Sequence, residues 1–218
     1  MNRKRGMLAT LCGATALALG AIALTPAVVA GPEHDHGNHT ATVGEKAPEF
    51  KLMDTSGKKH TLAGLLEQGD VVVLEWFNPD CPYVVRHHAK DHTMSKLYAD
   101  FKDRGVTWVA INSGAEGKQG AGVERNIAAI EEYNMQYPVL MDESGKVGKM
   151  YAAKTTPHMY IIAKDGTLLY DGAIDDDPRG RNDDPTNYVR QALEQALAGE
   201  TITDSKTKPY GCSVKYKS

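Results

Sequence analysis

The sequence predicts an α/β protein built on a mixed central β-sheet with helices on both faces. Three observations carry that prediction. Val71-Val-Val-Leu-Glu-Trp-Phe77 is an almost unbroken apolar run, as expected of a central strand covered on both sides. Strand-like and helix-like segments alternate through the first part of the chain. Later, His158–Ala163 and Leu168–Gly172 are two apolar runs separated by Lys164-Asp-Gly-Thr167, the composition of a tight antiparallel turn.

In chain order, Arg3, Lys4 and Arg5 form a basic start, Met7 to Leu24 are largely apolar, and Ala27-Val-Val-Ala30 ends in a small residue. This is the pattern of a secretory signal removed near Ala30, so residues 1–30 are expected to be absent from a secreted or periplasmic mature protein. A retained anchor is the competing expectation, because the apolar run approaches spanning length. Thr10, Thr15 and Thr25 weaken it, and no stable membrane insertion is expected after cleavage. Cys12 would leave with the signal. Residues 31–43 read as a flexible polar leader, in which His34, His36 and His39 could hold a transition metal only loosely, since no ordered scaffold fixes them.

Residues 44–198 are the expected domain, with no internal repeat and no second boundary. Within 44–61, Pro48 to Met53 alternates, Asp54-Thr-Ser-Gly57 turns and Lys58 to Thr61 returns, an edge hairpin with His60 at the surface. A short helix over 62–68 leads into the central strand. Asn78, Pro79 and Asp80 break that strand, and Pro82 suits a first helical turn, where its missing N–H has no intrahelical partner to lose. Few breakers follow, so one long helix from Pro82 to Arg104 is expected, stopped by Gly105. Val106 to Ile111 is a second buried strand, and Val123 to Tyr133 a helix with Val123, Ile127 and Ile130 on its inner face. Val139-Leu-Met141 is a short strand and 146–153 a helical turn or two. Beyond the hairpin come a solvated acidic loop over 175–184, without the spacing of a calcium loop, and an amphipathic helix over 185–198. Residues 199–218 are a tail carrying Cys212.

Composition narrows the chemistry. The formal charge of −3 becomes −6 once Arg3, Lys4 and Arg5 leave, which argues against a nucleic-acid partner. The mature length buries a full core without covalent staples, so the two remaining cysteines point to reactivity. Cys81 lies where a buried strand meets a helix start, a setting that favours thiolate and lowers the pKa from about 8.5. Cys212 is open to three readings: it resolves an adduct on Cys81, forms a static disulfide with it, or remains a lone thiol. His88 and His92, one helical turn apart, could share a metal, or His88 could sit near the Cys81 thiolate, or both form part of a polar face together with Arg86 and His87. His158 either faces the site or faces solvent.

These residues carry a resemblance. Glu75-Trp-Phe-Asn-Pro-Asp-Cys81 at a strand end, with Thr155-Thr-Pro157 before a late hairpin, resembles the thioredoxin superfamily over roughly residues 44–198. Cys81-Pro-Tyr-Val84, Asp175-Asp-Asp-Pro-Arg-Gly180 and Lys208-Pro-Tyr-Gly-Cys-Ser-Val-Lys215 are most similar to the peroxiredoxin-like redoxin, or AhpC/TSA-related, group. The resemblance implies a thioredoxin-like fold, Cys81 as attacking thiolate, Glu75 as a buried acid that relays protons, and Thr156-Pro157 as a cis-proline segment that holds an extended substrate. It also implies a protein disulfide, small thiol or peroxide as substrate, an external dithiol as reductant, and no cofactor. Two departures stand out. Val84 replaces the second cysteine of a Cys-x-x-Cys motif, leaving Cys212 as the possible resolving thiol. Asn78, Leu74 and Pro157 stand where a peroxidase would carry its Thr, Pro and Arg, so peroxide reduction would be slow at best. The rival reading is a non-enzymatic metal-binding or redox-sensing module that uses Cys81 with nearby histidines.

Overall fold

The computed structural model describes residues 40–217. The expected signal and most of the expected leader, including His34, His36 and His39, lie outside the described residues. Within them run β1 (Lys51–Asp54), β2 (Lys59–Thr61), α1 (Leu62–Leu66), β3 (Val71–Trp76), α2 (Pro82–Val85), a π-helical turn (Arg86–Lys90) and α3 (Thr93–Phe101). There follow β4 (Val106–Asn112), α4 (Val123–Glu132), β5 (Val139–Met141), α5 (Lys146–Met150), β6 (Thr155–Thr156), β7 (His158–Ala163), β8 (Leu168–Gly172), α6 (Tyr188–Leu197) and β9 (Cys212–Ser213).

The main sheet has the order β2-β1-β5-β4-β3-β7-β8. β3, β4 and β5 are parallel neighbours, while β7, β8, β1 and β2 join antiparallel, so the sheet is mixed as expected. β3 lies at its centre, paired along its length with β4 and β7, and every one of its residues is buried. That explains the continuous apolar run. Val71, Val73 and Phe77 join one core with α3 and α6; Val72, Leu74 and Trp76 join a second with α1 and Tyr151. Five buried apolar side chains at about 1.5–3 kcal/mol each outweigh the several kcal/mol of placing one carboxyl, Glu75, inside the same strand.

Several local expectations are corrected. The helix after Cys81 is not continuous: α2 gives way to the π-helical turn, and His92 takes a left-handed conformation (φ 53°) before α3 begins. The wider turn brings His87 and His88 both to the inside, where each meets a partner, so neither lies on a polar outer face. On α4 the buried residues are Asn126 and Ala129, with Ile130 packed against the core as expected, while Ile127 is 42% exposed. Asn126 sets that phase, because its amide joins Asn112 and the carbonyls of Gly120 and Gly122. His60 is buried against Asp54, at 2.8 Å, instead of sitting at the surface. The acidic loop is only partly solvated, since Asp175 and Asp177 are buried. Among the described residues no helix is long and apolar enough to cross a membrane.

Candidate active site

The turn after β3 fixes Cys81. Asn78 accepts a hydrogen bond from the Asp80 N–H at 2.9 Å, its carbonyl accepts from the Cys81 N–H at 3.1 Å, and Tyr133 ties down the Pro79 carbonyl at 2.7 Å. Cys81 then stands as the N-cap of α2, with its side chain 0% exposed and its Sγ donating to the Thr156 carbonyl at 2.9 Å. The Thr156–Pro157 peptide is cis, which turns β6 towards the end of β3. Cys81, Thr156 and Pro157, remote in sequence, are thereby brought together.

The tail completes the arrangement. β9 pairs antiparallel with β6, so that Cys212 lies opposite Thr156 and Ser213 opposite Thr155. Gly211 allows the approach: its φ is 145°, and a Cβ there would lie 2.1 Å from the Thr156 carbonyl oxygen. One residue earlier, the Tyr210 hydroxyl donates to Asp175, accepts from Arg86 at 3.0 Å and lies 2.9 Å from His87 Nε2. Arg86 also donates to the Asp177 carbonyl at 2.9 Å, which ties the acidic loop to the same clamp. Burial, then the neighbouring Arg86 and His88, push the His87 pKa down to about 3, so its ring is neutral and its Nε2 accepts from Arg86 at 2.8 Å. Beyond Cys212, Val214 donates to the Lys154 carbonyl at 3.1 Å, and the Tyr216 hydroxyl to the Ala153 carbonyl at 2.8 Å.

Cys81 and Cys212 are both free thiols. Cys212 is set opposite Thr156, whose carbonyl accepts from Cys81 Sγ, and the two sulfurs shift each other in opposite directions. Burial alone would raise Cys81. The neighbouring Cys212 thiol, the Val84 and Cys212 backbone N–H groups and the Thr156 hydroxyl overcome this and hold Cys81 below its ordinary value. Cys212 is pushed up to about 11, first by burial and then by its hydrogen bond to Cys81 and the charge there. The resulting pair has one thiolate-favouring sulfur, fully buried, and one thiol-favouring sulfur, half-buried.

Glu75 is fully buried on the same face of β3 as Phe77. Its Oε1 lies 2.7 Å from His88 Nε2, and its Oε2 accepts from the Tyr137 hydroxyl at 3.0 Å. Burial first, and then Glu75, push the Tyr137 hydroxyl well above the usual tyrosine range. His88 and Tyr137 line a cavity of about 490 Å³ between α3 and residues 133–137, so the carboxyl faces this space through its two partners. His88 is therefore committed to Glu75, whereas His92 is exposed, and the two do not converge. His158 is buried, with Nε2 2.7 Å from Asp171 and Nδ1 3.1 Å from the Tyr160 hydroxyl; it neither faces solvent nor bonds to Cys81. Among the described residues no group of three or more His, Cys, Asp or Glu could hold a metal ion. Two features were missed in sequence: the pairing of His88 with Glu75, and the Tyr210 clamp. Arg86, Asp175 and Tyr210 lie within or beside the stretches that carried the resemblance, but nothing in the sequence shows that they meet.

Fold and site together define a thioredoxin-like α/β protein with a cysteine at the strand–helix junction and a cis-proline beside it. Residues 43–171 match the AhpC/TSA family, and the chain belongs to it. The chain is similar to the thiol-disulfide oxidoreductase ResA of Bacillus thuringiensis, 27% identical over 130 residues, which cover 58% of this chain and 67% of that one. A hypothetical protein from Sinorhizobium meliloti has a similar structure, with TM-score 0.75, 28% identity, and 83% of this chain and 97% of that one covered. So does an uncharacterized conserved protein from Geobacillus kaustophilus, with TM-score 0.73, 31% identity, and 81% and 93% covered. The family match ends at Asp171, so Cys212, Tyr210 and Asp175 lie outside it, while their partners Arg86 and His87 lie within.

Proposed function

We propose that this is a secreted thiol–disulfide oxidoreductase in which Cys81 and Cys212 form the redox pair. The observation that carries the reading is the convergence of two free thiols 131 positions apart on Thr156, which bonds the Cys81 sulfur through its carbonyl and pairs with Cys212 across β6 and β9, one thiol held below and one above its ordinary pKa. The similarity to a protein named as a thiol-disulfide oxidoreductase supports the same reading.

In the reduced protein the tail is held only by non-covalent contacts, and its lifting uncovers Cys81. The Cys81 thiolate attacks one sulfur of a substrate disulfide, whose other sulfur leaves as a thiolate. Cys212 gives up its proton and attacks Cys81 Sγ, releasing the second substrate thiolate and forming the Cys81–Cys212 disulfide. Two electrons have then passed to the substrate. An external dithiol returns them. Thr156 and Pro157 would receive an extended substrate segment while the tail is raised, on the edge that β9 covers when it is down. Glu75 would manage protons in the closed interior, exchanging them with solvent through His88, because a buried carboxyl has no direct contact with water.

The test is a redox titration of the purified protein in glutathione buffers with thiol counting, alongside an insulin-disulfide reduction assay. A reversible two-electron Cys81–Cys212 couple is expected, with reductase activity abolished in Cys81→Ala. If the two cysteines never pair and Cys81→Ala leaves the activity intact, the reading is wrong.

A further inference from the structure

Resting on the proposed redox pair, we infer that the disulfide substrate is acidic: its reactive sulfur lies in a segment flanked by carboxylates, which docks along β6 in place of a cationic tail.

The charge begins in the sequence. Residues 146–154 carry Lys146, Lys149 and Lys154 and no acid, and residues 212–217 carry Lys215 and Lys217 and no acid, in a chain with more acids than bases. The fold packs these two stretches together. Val214 donates to the Lys154 carbonyl at 3.1 Å, the Tyr216 hydroxyl to the Ala153 carbonyl at 2.8 Å, and Lys149 Nζ lies 5.8 Å from the centre of the Tyr216 ring. Lys154 immediately precedes β6, whose Thr155 and Thr156 pair with β9. Lys146, Lys149, Lys154 and Lys217 are exposed. Among the described residues none of the five lysines forms an ion pair, whereas Lys206 is already paired with Asp171 at 3.4 Å. Glu116 and Lys118 stand at the margin, where the Ala115 N–H donates to the Lys215 carbonyl at 2.8 Å, and they offset each other.

The charge reaches the sulfur and has a direction. Burial and then Cys81 push the Cys212 pKa up, while Lys215 pulls it down. On the other side of Cys212 the sign changes. Tyr210 bonds Asp175, at the head of the loop 175–184, in which five aspartates outnumber Arg179 and Arg181. A docked substrate would therefore turn its carboxylates towards Lys154, away from that loop.

The lysines act twice. Lys146, Lys149 and Lys154 belong to the body of the domain and stay beside β6 whether the tail is down or raised. The docked tail brings Lys215 and Lys217 up against charge of the same sign. An acidic segment on the same edge meets opposite charge, so the field that opposes the tail favours its replacement. Backbone pairing to β6, the mode β9 uses, supplies the hold, and charge supplies the selection.

Three disulfide-linked peptides that differ only in whether glutamates, glutamines or lysines flank the cysteine test this. Reduced protein is mixed with each, and the second-order rate of peptide-thiol release is followed. The glutamate peptide should react at least about tenfold faster than the lysine peptide at low salt, with the gap closing to within about threefold at ~0.5 M salt. Flanking carboxylates by themselves raise the leaving thiol's pKa and slow exchange, so this order cannot come from intrinsic reactivity. In Lys149→Glu/Lys154→Glu/Lys217→Glu the ratio of the two rates, taken within the one protein, should fall below one. Equal rates, a preference for the lysine peptide, or a ratio unmoved by salt or by the charge reversal overturns the inference and leaves the redox pair standing. No reaction with any of the three peptides overturns the pair and the inference together. Capture by phosphatidylglycerol vesicles, or salt-sensitive dimerisation on sedimentation, without a preference among the peptides would give the lysines another occupant and likewise overturns the inference.

Discussion

Cys81 follows, after one short turn, a six-residue strand paired on both edges and buried throughout, whereas Cys212 sits on a two-residue strand bonded to β6 alone. The first sulfur is placed by the core of the domain. The second is placed by a short strand pairing, a few polar contacts, one glycine and the packing of Val214 and Tyr216 at the margin of a core. Val84, buried in the turn after Cys81, occupies the position where a local partner cysteine would stand. On the proposed function, a partner on the tail in place of one at Val84 makes the chemistry of Cys81 depend on a segment docked through β6 and Tyr210, apart from the strand that places Cys81.

Gly211→Ala should break the comparison most strongly. The new Cβ would collide with the Thr156 carbonyl, and alanine is strained at a φ of 145°. Strain of this kind costs about 1–3 kcal/mol, so the effective concentration of Cys212 at Cys81 should fall by roughly 10- to 100-fold. A glutathione titration of the intramolecular disulfide measures this, and thermal unfolding should be little changed, because the core is untouched. An unchanged effective concentration would mean that the tail is not placed through β6.

Tyr210→Phe should act in the same direction with less force. It removes a hydroxyl shared by Asp175, Arg86 and His87 while keeping the ring that packs near Tyr83. Losing partners of this kind costs about 1–2 kcal/mol. The titration should therefore show roughly a tenfold weaker pairing, again with the fold retained. A loss as large as that of Gly211→Ala would show that the clamp, more than the strand contact, positions Cys212.

The same contrast explains what could be read in the sequence. The run Val71–Phe77, the breakers after it and Cys81 form one continuous signal of strand, turn and helix start, so the sheet and the placement of Cys81 at the strand–helix junction were both legible. The π-helical turn was not. It exists because His87 must reach Tyr210 and His88 must reach Glu75, contacts spanning 123 and 13 positions that no local periodicity encodes. The buried setting of Glu75 was visible as an acid in an apolar strand, but Tyr137, 62 positions away, was not. Likewise Gly211 and Cys212 were visible as a motif, while their pairing with Thr155 and Thr156 depends on the chain returning to the cis-proline edge.

The subtlest effect concerns how the two sulfurs act on each other. Cys212 is pushed up to about 11 first by burial, which a distant substitution does not change, and then by the Cys81 sulfur, which Cys81→Ala removes. The Cys212 pKa should consequently fall towards its ordinary value of 9 in that variant. Alkylation at constant pH below both values follows the thiolate fraction, which rises, and intrinsic nucleophilicity, which drops as the pKa falls with a Brønsted slope of about 0.4–0.5. The net gain should be about three- to tenfold at pH ~8, read from the pH profile of iodoacetamide labelling at Cys212. Lys215→Ala should move the same pKa the other way and by less, since Lys215 is a smaller, opposing influence on Cys212. In Cys212→Ala, loss of the neighbouring thiol should raise Cys81, although its backbone donors remain. Opposite responses in the two single variants are what contact between the sulfurs requires. If removing Cys81 leaves the Cys212 profile unmoved, the two sulfurs do not meet in solution, and the tail is a neighbour of the site without being part of it.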